Sequence, residues 1–234
     1  MTKKIKIILI IFLLIFSTLY LSRVVNTITF EDKNFINEHF IKLETDNPYE
    51  TSYEEQLNLI QSIQQSVFVV APITRGGGIE KGRAREPKDL FIKQTGVCHD
   101  RSRVIEKILR YYGFKTRHIS IYSSEETDSI VKSLLTPGIN SHALTEVKTS
   151  KGWLVVDSNK EWVAIDYNDL PISISEIIKN KKNIKARLLN DFPSFIFDEN
   201  FFVIYGLYSR HGMFYQPYNF VPDINYSEFT SNFL

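Results

Sequence analysis

The chain holds a single cysteine, Cys98, and a thiol becomes a useful nucleophile only when its pKa falls. A helix N-terminus lowers it through unpaired backbone N–H groups and aligned peptide dipoles. Cys98 sits where a helix is expected to begin. Downstream of it Val104, Ile105, Ile108, Leu109 and Tyr112 form one apolar face, and Gly113 stands where a C-terminal cap belongs. Gly96, two residues earlier, lets backbone or substrate come close. A nucleophilic thiol needs an imidazole within hydrogen-bond reach, held in turn by a third group that sets its tautomer. His142 and Asp157 fit those two roles.

The elements that must bring the three together are two β-type stretches, Ser141 to Thr149 and Gly152 to Asp157. A two-residue turn at Ser150-Lys151 pairs Thr149 with Gly152 and sets Asp157 opposite Leu144. Side chains alternate with period two, so His142 and Asp157 then share a face as diagonal neighbours. A Lys151-Gly152 turn keeps that parity, whereas a three-residue loop without a bulge breaks it. Thr116 to Tyr122 supplies a further strand and Glu161 to Asp166 a fourth. A helix feeding an antiparallel sheet predicts an α+β fold. Ser173 and Glu176 form a capping box for a short helix after the sheet.

Ahead of Cys98, apolar positions predict a helix over Asp32 to Leu43, stopped by Asn47-Pro48, and a second over Tyr53 to Val70. In the second, Leu57, Ile60, Ile63, Val67 and Val70 form a core-facing stripe that ends before Pro72. Residues 75–85 contain four glycines and four basic residues, which reads as a mobile loop. It is either a solvated connection or a flap that favours anionic substrates; the Gly-Lys-Ser/Thr of a phosphate-binding loop is missing. The stretch 191–234 has 14 aromatic residues in 44, well above the 13% of the whole chain. Packing against the domain explains such a segment most simply, and a sugar- or peptide-binding rim is the alternative.

With 28 basic and 27 acidic residues in 234, the formal charge is +1, so no global basic field exists to hold nucleic acid. One cysteine excludes an internal disulfide and a multi-cysteine metal cage. Lys3, Lys4 and Lys6 precede an apolar run from Ile7 to Leu21 that Ser22 and Val24-Val25 extend. That pattern predicts an export signal with the body outside the cytoplasm. The tract's end lacks an A-x-A processing site, which favours an uncleaved single-pass anchor over a cleaved peptide. The expected organisation is an N-terminal anchor over 1–25, a helical lead-in with the glycine-rich basic loop over 30–85, a catalytic core over 86–190 and the aromatic segment over 191–234.

Several segments together resemble the bacterial transglutaminase-like core. They are Gly96-Val97-Cys98-His99-Asp100, Tyr112-Gly113-Phe114, Thr116-Arg117, Ser141-His142-Ala143 and Gly152-Trp153-Leu154-Val155-Val156-Asp157. The resemblance runs from about Glu86 to Trp162. It implies a papain-like fold whose cysteine opens a helix and whose histidine and aspartate lie on adjacent strands. It further implies acyl transfer, without cofactor or metal, by a Cys98, His142, Asp157 triad acting on protein, peptide or cell-envelope material. Its members include transamidases, peptidases, deamidases and non-catalytic modules, so the fold alone leaves the reaction open. The oxyanion requires the Cys98 backbone N–H and one upstream donor, for which Gln61, Gln64, Gln65 and Tyr53 are the candidates.

Other readings of these residues remain. A lone cysteine is often a small buried hydrophobe. Asp100 reads first as a helix N-terminal charge, and His99 either tunes the thiol or faces solvent. His118 reads as structural, and Trp153 and Trp162 as core or cleft-wall aromatics. A binding module that kept the fold is the alternative to an enzyme. A metal site from Cys98, His99, His118 and His142 lacks any standard ligand spacing.

Overall fold

A computed structural model describes residues 3–21, 26–43, 47–73, 76–80, 84–127, 129–136, 138–179, 185–186, 200–208 and 223–233. In chain order the helices are α1 (Lys3–Leu21), α2 (Phe30–Phe35), α3 (Tyr53–Val70), α4 (Pro87–Lys93), α5 (Cys98–Tyr111), α6 (Ile130–Leu135), α7 (Ile174–Lys179) and α8 (Tyr226–Phe229). The strands are β1 (Thr116–Ser123), β2 (Ser141–Lys148), β3 (Trp153–Val156), β4 (Ala164–Ile165), β5 (Lys185–Ala186), β6 (Phe201–Tyr205), β7 (Leu207–Tyr208) and β8 (Asp223–Ile224). The main sheet has the order β3-β2-β1-β6, with every neighbouring pair antiparallel. The fold is therefore the α+β, papain-like arrangement expected, a cysteine-bearing helix packed on an antiparallel sheet.

Local chemistry sets the two helices that matter most. α3 starts in a reciprocal cap: the Ser52 N–H donates to Glu55 Oε2 at 2.8 Å and the Glu55 N–H to Ser52 Oγ at 3.3 Å. α5 ends where Gly113 takes φ +88° and the Phe114 N–H donates back to the Leu109 carbonyl at 3.0 Å. Only glycine adopts that conformation without strain, which makes it a stop signal. The stripes of the two helices meet in one core that contains Leu57, Ile60, Ile63, Val67, Val104, Ile105, Ile108 and Leu109 with Val147, Leu154 and Val156 of the sheet. A second core, around Ile119, Ile121, Leu144, Val155 and Trp162, packs with Ile174 and Ile177 of α7. Each such side chain, once buried, contributes about 1.5–3 kcal/mol relative to exposure.

Two expectations change in detail. The helix expected over Asp32 to Leu43 is α2 followed by a π-helical turn, Ile36–Phe40. It begins earlier because Thr29 and Asp32 cap each other, and Asp32 is buried against Lys107 of α5 at 2.7 Å. The fourth strand, expected over Glu161 to Asp166, shrinks to β4. Asp166 turns the chain there by accepting the Asn168 and Leu170 N–H groups at 2.8 and 2.9 Å. Among the described residues no helix is long and apolar enough to cross a membrane, and residues 1–2 and 22–25 of the anchor expected over 1–25 lie outside them. α1 carries Lys3, Lys4 and Lys6 at its start. Its apolar stretch is about 22 Å at 1.5 Å per residue, against a hydrocarbon core of about 30 Å.

The far end of α5 receives the C-terminal elements. Glu228 of α8 accepts the His118 N–H at 2.8 Å and pairs with Arg110 at 2.6 Å. The Tyr208 hydroxyl donates to Glu106 at 2.7 Å, and its ring stacks on His118 at 4.1 Å. Burial and the neighbouring Glu106 carboxylate push the Glu228 carboxyl up to about 7. β6 pairs with β1, and Phe202 stacks on Tyr122 at 5.4 Å. The aromatic residues of 191–199 and 209–222 lie outside the described residues.

Candidate active site

Cys98 is the first residue of α5, half-buried, with three backbone N–H groups of the first turn behind it. Asp100 makes that helix start rigid. One of its carboxylate oxygens, Oδ2, accepts the Val97 and Ile79 N–H groups, each at 3.0 Å, while Oδ1 takes Arg85 Nε at 2.7 Å. Asp100 is fully buried and Arg85 is 6% exposed. The glycine-rich segment is thus fastened to the cysteine helix at Ile79 and Arg85. Arg85 is committed inward, so it is not a surface cation of an anion-binding flap; 74–75 and 81–83 lie outside the described residues. Gly96 is closely packed: a Cβ there would sit 2.9 Å from Leu90 Cδ1 and 3.3 Å from Asp100 Cβ, so Leu90 would have to shift.

β2 and β3 pair Thr145 with Val156 and Lys148 with Trp153. The Thr149 N–H donates to the Gly152 carbonyl at 2.7 Å, which closes the two-residue turn at Ser150-Lys151. That register puts His142 Nε2 3.1 Å from Asp157 Oδ1. Asp157 Oδ1 is itself oriented by the Asn159 and Lys160 N–H groups at 2.6 and 3.2 Å. With Nε2 on the carboxylate, the other imidazole nitrogen is left for sulfur, and Cys98 and His142 lie close enough to shift each other's acidity. The three expected residues are therefore gathered at one site.

The electrostatics follow from that arrangement. Burial raises the Cys98 thiol, but hydrogen bonds and charge from His142 and His99 outweigh it and bring it down to about 5. Burial lowers His142, but the Asp157 carboxylate and the sulfur hold it up at about 10. Both shifts favour the thiolate on Cys98 and the imidazolium on His142 at neutral pH. His99, on the same helix turn, has Nδ1 4.0 Å from Sγ. It touches the thiol rather than facing solvent. His118 stays in the Glu106–Tyr208 cluster, where burial drives it down to about 4, and His39 stacks on Phe91 at 3.9 Å. His211 lies outside the described residues. Trp162 is fully buried core, while Trp153 carries the Arg117 guanidinium over its ring at 4.1 Å.

The oxyanion candidates separate clearly. Gln64 Nε2 donates to the Asp157, Lys160 and Trp162 carbonyls at 2.7, 3.0 and 2.9 Å, so it holds the turn that carries the triad carboxylate. Gln65 reaches only Glu161, at 3.5 Å on the surface. Tyr53 lies at the far end of α3 under Lys151 of the β2–β3 turn. The end of α3 near Cys98 is Ala71, about 27 Å away along the helix axis. Gln61 Nε2 is buried without a partner among the described residues, and it lies about ten residues before Ala71. Among the described residues none of the four hydrogen-bonds the sulfur. Sequence reasoning missed the positioning role of Gln64, because its targets are 93 to 98 residues away. Replacing Gln64 with Leu removes the donor from the Asp157 carbonyl, while the Lys160 and Trp162 carbonyls keep the Trp162 and Asp157 N–H groups. The expected loss is about 1–3 kcal/mol in denaturant unfolding, and a loss under about 0.5 kcal/mol refutes the role.

A cysteine opening a helix, beside a histidine and an aspartate on adjacent strands, defines the class as a papain-like α+β core. Residues 45–158 match the family model of the transglutaminase-like superfamily, a span that reaches from just before α3 to just past Asp157. Over those residues the chain is similar to that superfamily. No curated protein matches it.

Proposed function

We propose that the domain is a cysteine-dependent enzyme of acyl transfer or amide hydrolysis. The observation that supports this best is the place of Cys98 at the start of α5 beside the His142–Asp157 hydrogen bond. In the proposed cycle the Cys98 thiolate attacks an amide carbonyl, forming a C–S bond. The carbonyl oxygen takes up negative charge at the helix start, where the Cys98 N–H can donate to it. The His142 imidazolium gives its proton to the leaving amine as the C–N bond breaks, which leaves a thioester on Cys98 and neutral His142. His142 then accepts a proton from water or an amine that attacks the thioester; the C–S bond breaks, releasing a carboxylic acid or a new amide and restoring the Cys98 thiolate beside protonated His142. Asp157 keeps the imidazole oriented throughout.

The substrate is proposed to be protein, peptide or cell-envelope material outside the cytoplasm. Lys3, Lys4 and Lys6 followed by the apolar, exposed face of α1 support membrane-directed export and attachment through this segment. The test is covalent capture from envelope extracts. Wild-type protein is expected to accumulate an adduct that hydroxylamine cleaves, and Cys98→Ala to accumulate none. Absence of any hydroxylamine-sensitive adduct on wild type, with slow labelling by thiol reagents that ignores His142→Ala, overturns the proposal in favour of a non-catalytic binding module.

A further inference from the structure

Arg101 lies one turn beyond Cys98 on α5 and is 3% exposed. Nothing in the proposed cycle uses it. Its guanidinium nevertheless joins three segments around the site, the end of α3, the approach to Cys98 and the turn after Asp157. Nε donates to the Ser158 carbonyl at 2.6 Å, next to Asp157. One terminal nitrogen donates to the Gly96 carbonyl, two residues before the sulfur, and reaches the Ala71 carbonyl at the end of α3 at 3.5 Å. The other terminal nitrogen donates to Asn159 Oδ1, in the turn whose N–H groups orient Asp157. Among the described residues its polar contacts are these neutral oxygens. A buried guanidinium held only by carbonyls is unusual, because a cation removed from water ordinarily needs an opposite charge close by. The negative groups that face it are the Cys98 sulfur and the Asp100 and Asp157 carboxylates. Asp100 is already paired with Arg85 and Asp157 with His142.

We propose that Arg101 is the positioning residue of the active centre. Its planar fork ties the segment leading into Cys98 to the turn that carries Asp157, so the sulfur and the imidazole meet, and its buried charge holds the sulfur as thiolate. A lysine cannot replace it fully. An ammonium supplies one point charge, whereas the guanidinium makes divergent bonds to Gly96, Ser158 and Asn159 at once. The inference rests on the enzyme reading above, since it concerns the same sulfur.

The test measures iodoacetamide alkylation of Cys98 against pH in wild type, Arg101→Gln, Arg101→Lys and His142→Ala, with thermal unfolding of each. A folded R101Q is expected to raise the alkylation midpoint by about one pH unit or more, which means about tenfold less thiolate at any pH below it. R101K is expected to return the midpoint at least halfway to wild type. A folded R101Q whose midpoint stays within a few tenths of a unit of wild type overturns the role. If R101Q does not fold, R101K decides: an intermediate midpoint supports the role, and a midpoint and limiting rate identical to wild type overturn it. The two failures are distinguishable. A wild-type midpoint at the ordinary thiol value, unaffected by His142→Ala, removes the enzyme reading itself. A low wild-type midpoint with an unaltered R101Q removes only the part assigned to Arg101.

Discussion

His142→Ala is expected to return the Cys98 thiol to ordinary acidity, and two readouts then diverge. At pH 6, a shift from about 5 to an ordinary thiol value of about 8.5 lowers the thiolate fraction about 300-fold. A more basic thiolate is intrinsically the better nucleophile, with a Brønsted slope of about 0.4–0.5, so alkylation at that pH falls only about tenfold. Amide turnover loses far more. The variant has no acid to protonate the leaving amine, a contribution of about 10²–10⁴ in rate, and Cys98→Ala eliminates covalent turnover entirely. The pH dependence of wild type carries the same signs. Alkylation rises as pH increases through about 5, where the sulfur loses its proton, and stays high above it. Amide turnover rises over the same range but declines through about 10, where His142 gives up the proton the leaving group needs. A wild-type alkylation midpoint above about 8, or one that His142→Ala leaves in place, contradicts the ion pair.

The second large effect lies behind the nucleophile. Asp100→Ala removes the carboxylate that binds the Val97 and Ile79 N–H groups and the buried Arg85. Breaking a buried ion pair from one side costs about 3–5 kcal/mol, because the remaining charge stays buried. For a chain of this size that lowers Tm by roughly 10 °C or more. The damage should extend to chemistry, since the same substitution releases both the first turn of α5 and the glycine-rich segment fastened to it. Calorimetry on the purified variant decides the matter, and a loss under about 1 kcal/mol shows that water or a neighbour replaces the carboxylate. Asp100→Asn, which can still accept the two N–H groups through its amide oxygen, is expected to fall between the two.

Asp100 also illustrates how sequence reading falls short. Its position in the first turn of a helix identifies a favourable negative charge and nothing more. The two partners that make it structural, Ile79 and Arg85, lie 21 and 15 residues upstream across a glycine-rich stretch. Local composition there reads as a mobile loop; burial of Ile79 and Arg85 reverses that reading at those two residues. Gln64 and Arg101 have the same character. Each bonds carbonyls far along the chain, and carbonyls leave no mark in a sequence because every residue has one. The upstream glutamines could therefore be seen as polar positions beside an apolar stripe, while their targets could not.

Where short-range periodicity governs, sequence and structure agree closely. α3 runs from Tyr53 to Val70 as its stripe and caps require, and α5 begins at Cys98 and ends at the Gly113 stop. The two-residue turn at Ser150-Lys151 and the alternation of β2 and β3 were enough to place His142 beside Asp157, because antiparallel register follows from turn length and period alone. The contact between that pair and the sulfur is a different kind of fact. It joins a helix to strands separated by β1 and α6, and its geometry depends on how α3, α5 and the sheet share one core and on the Arg101 bonds that join the two halves. Residue types and spacing singled out Cys98, His142 and Asp157; the packing of helix on sheet decided that the segments carrying them come together, because distances across a core come from the volumes of many side chains at once and not from any local pattern.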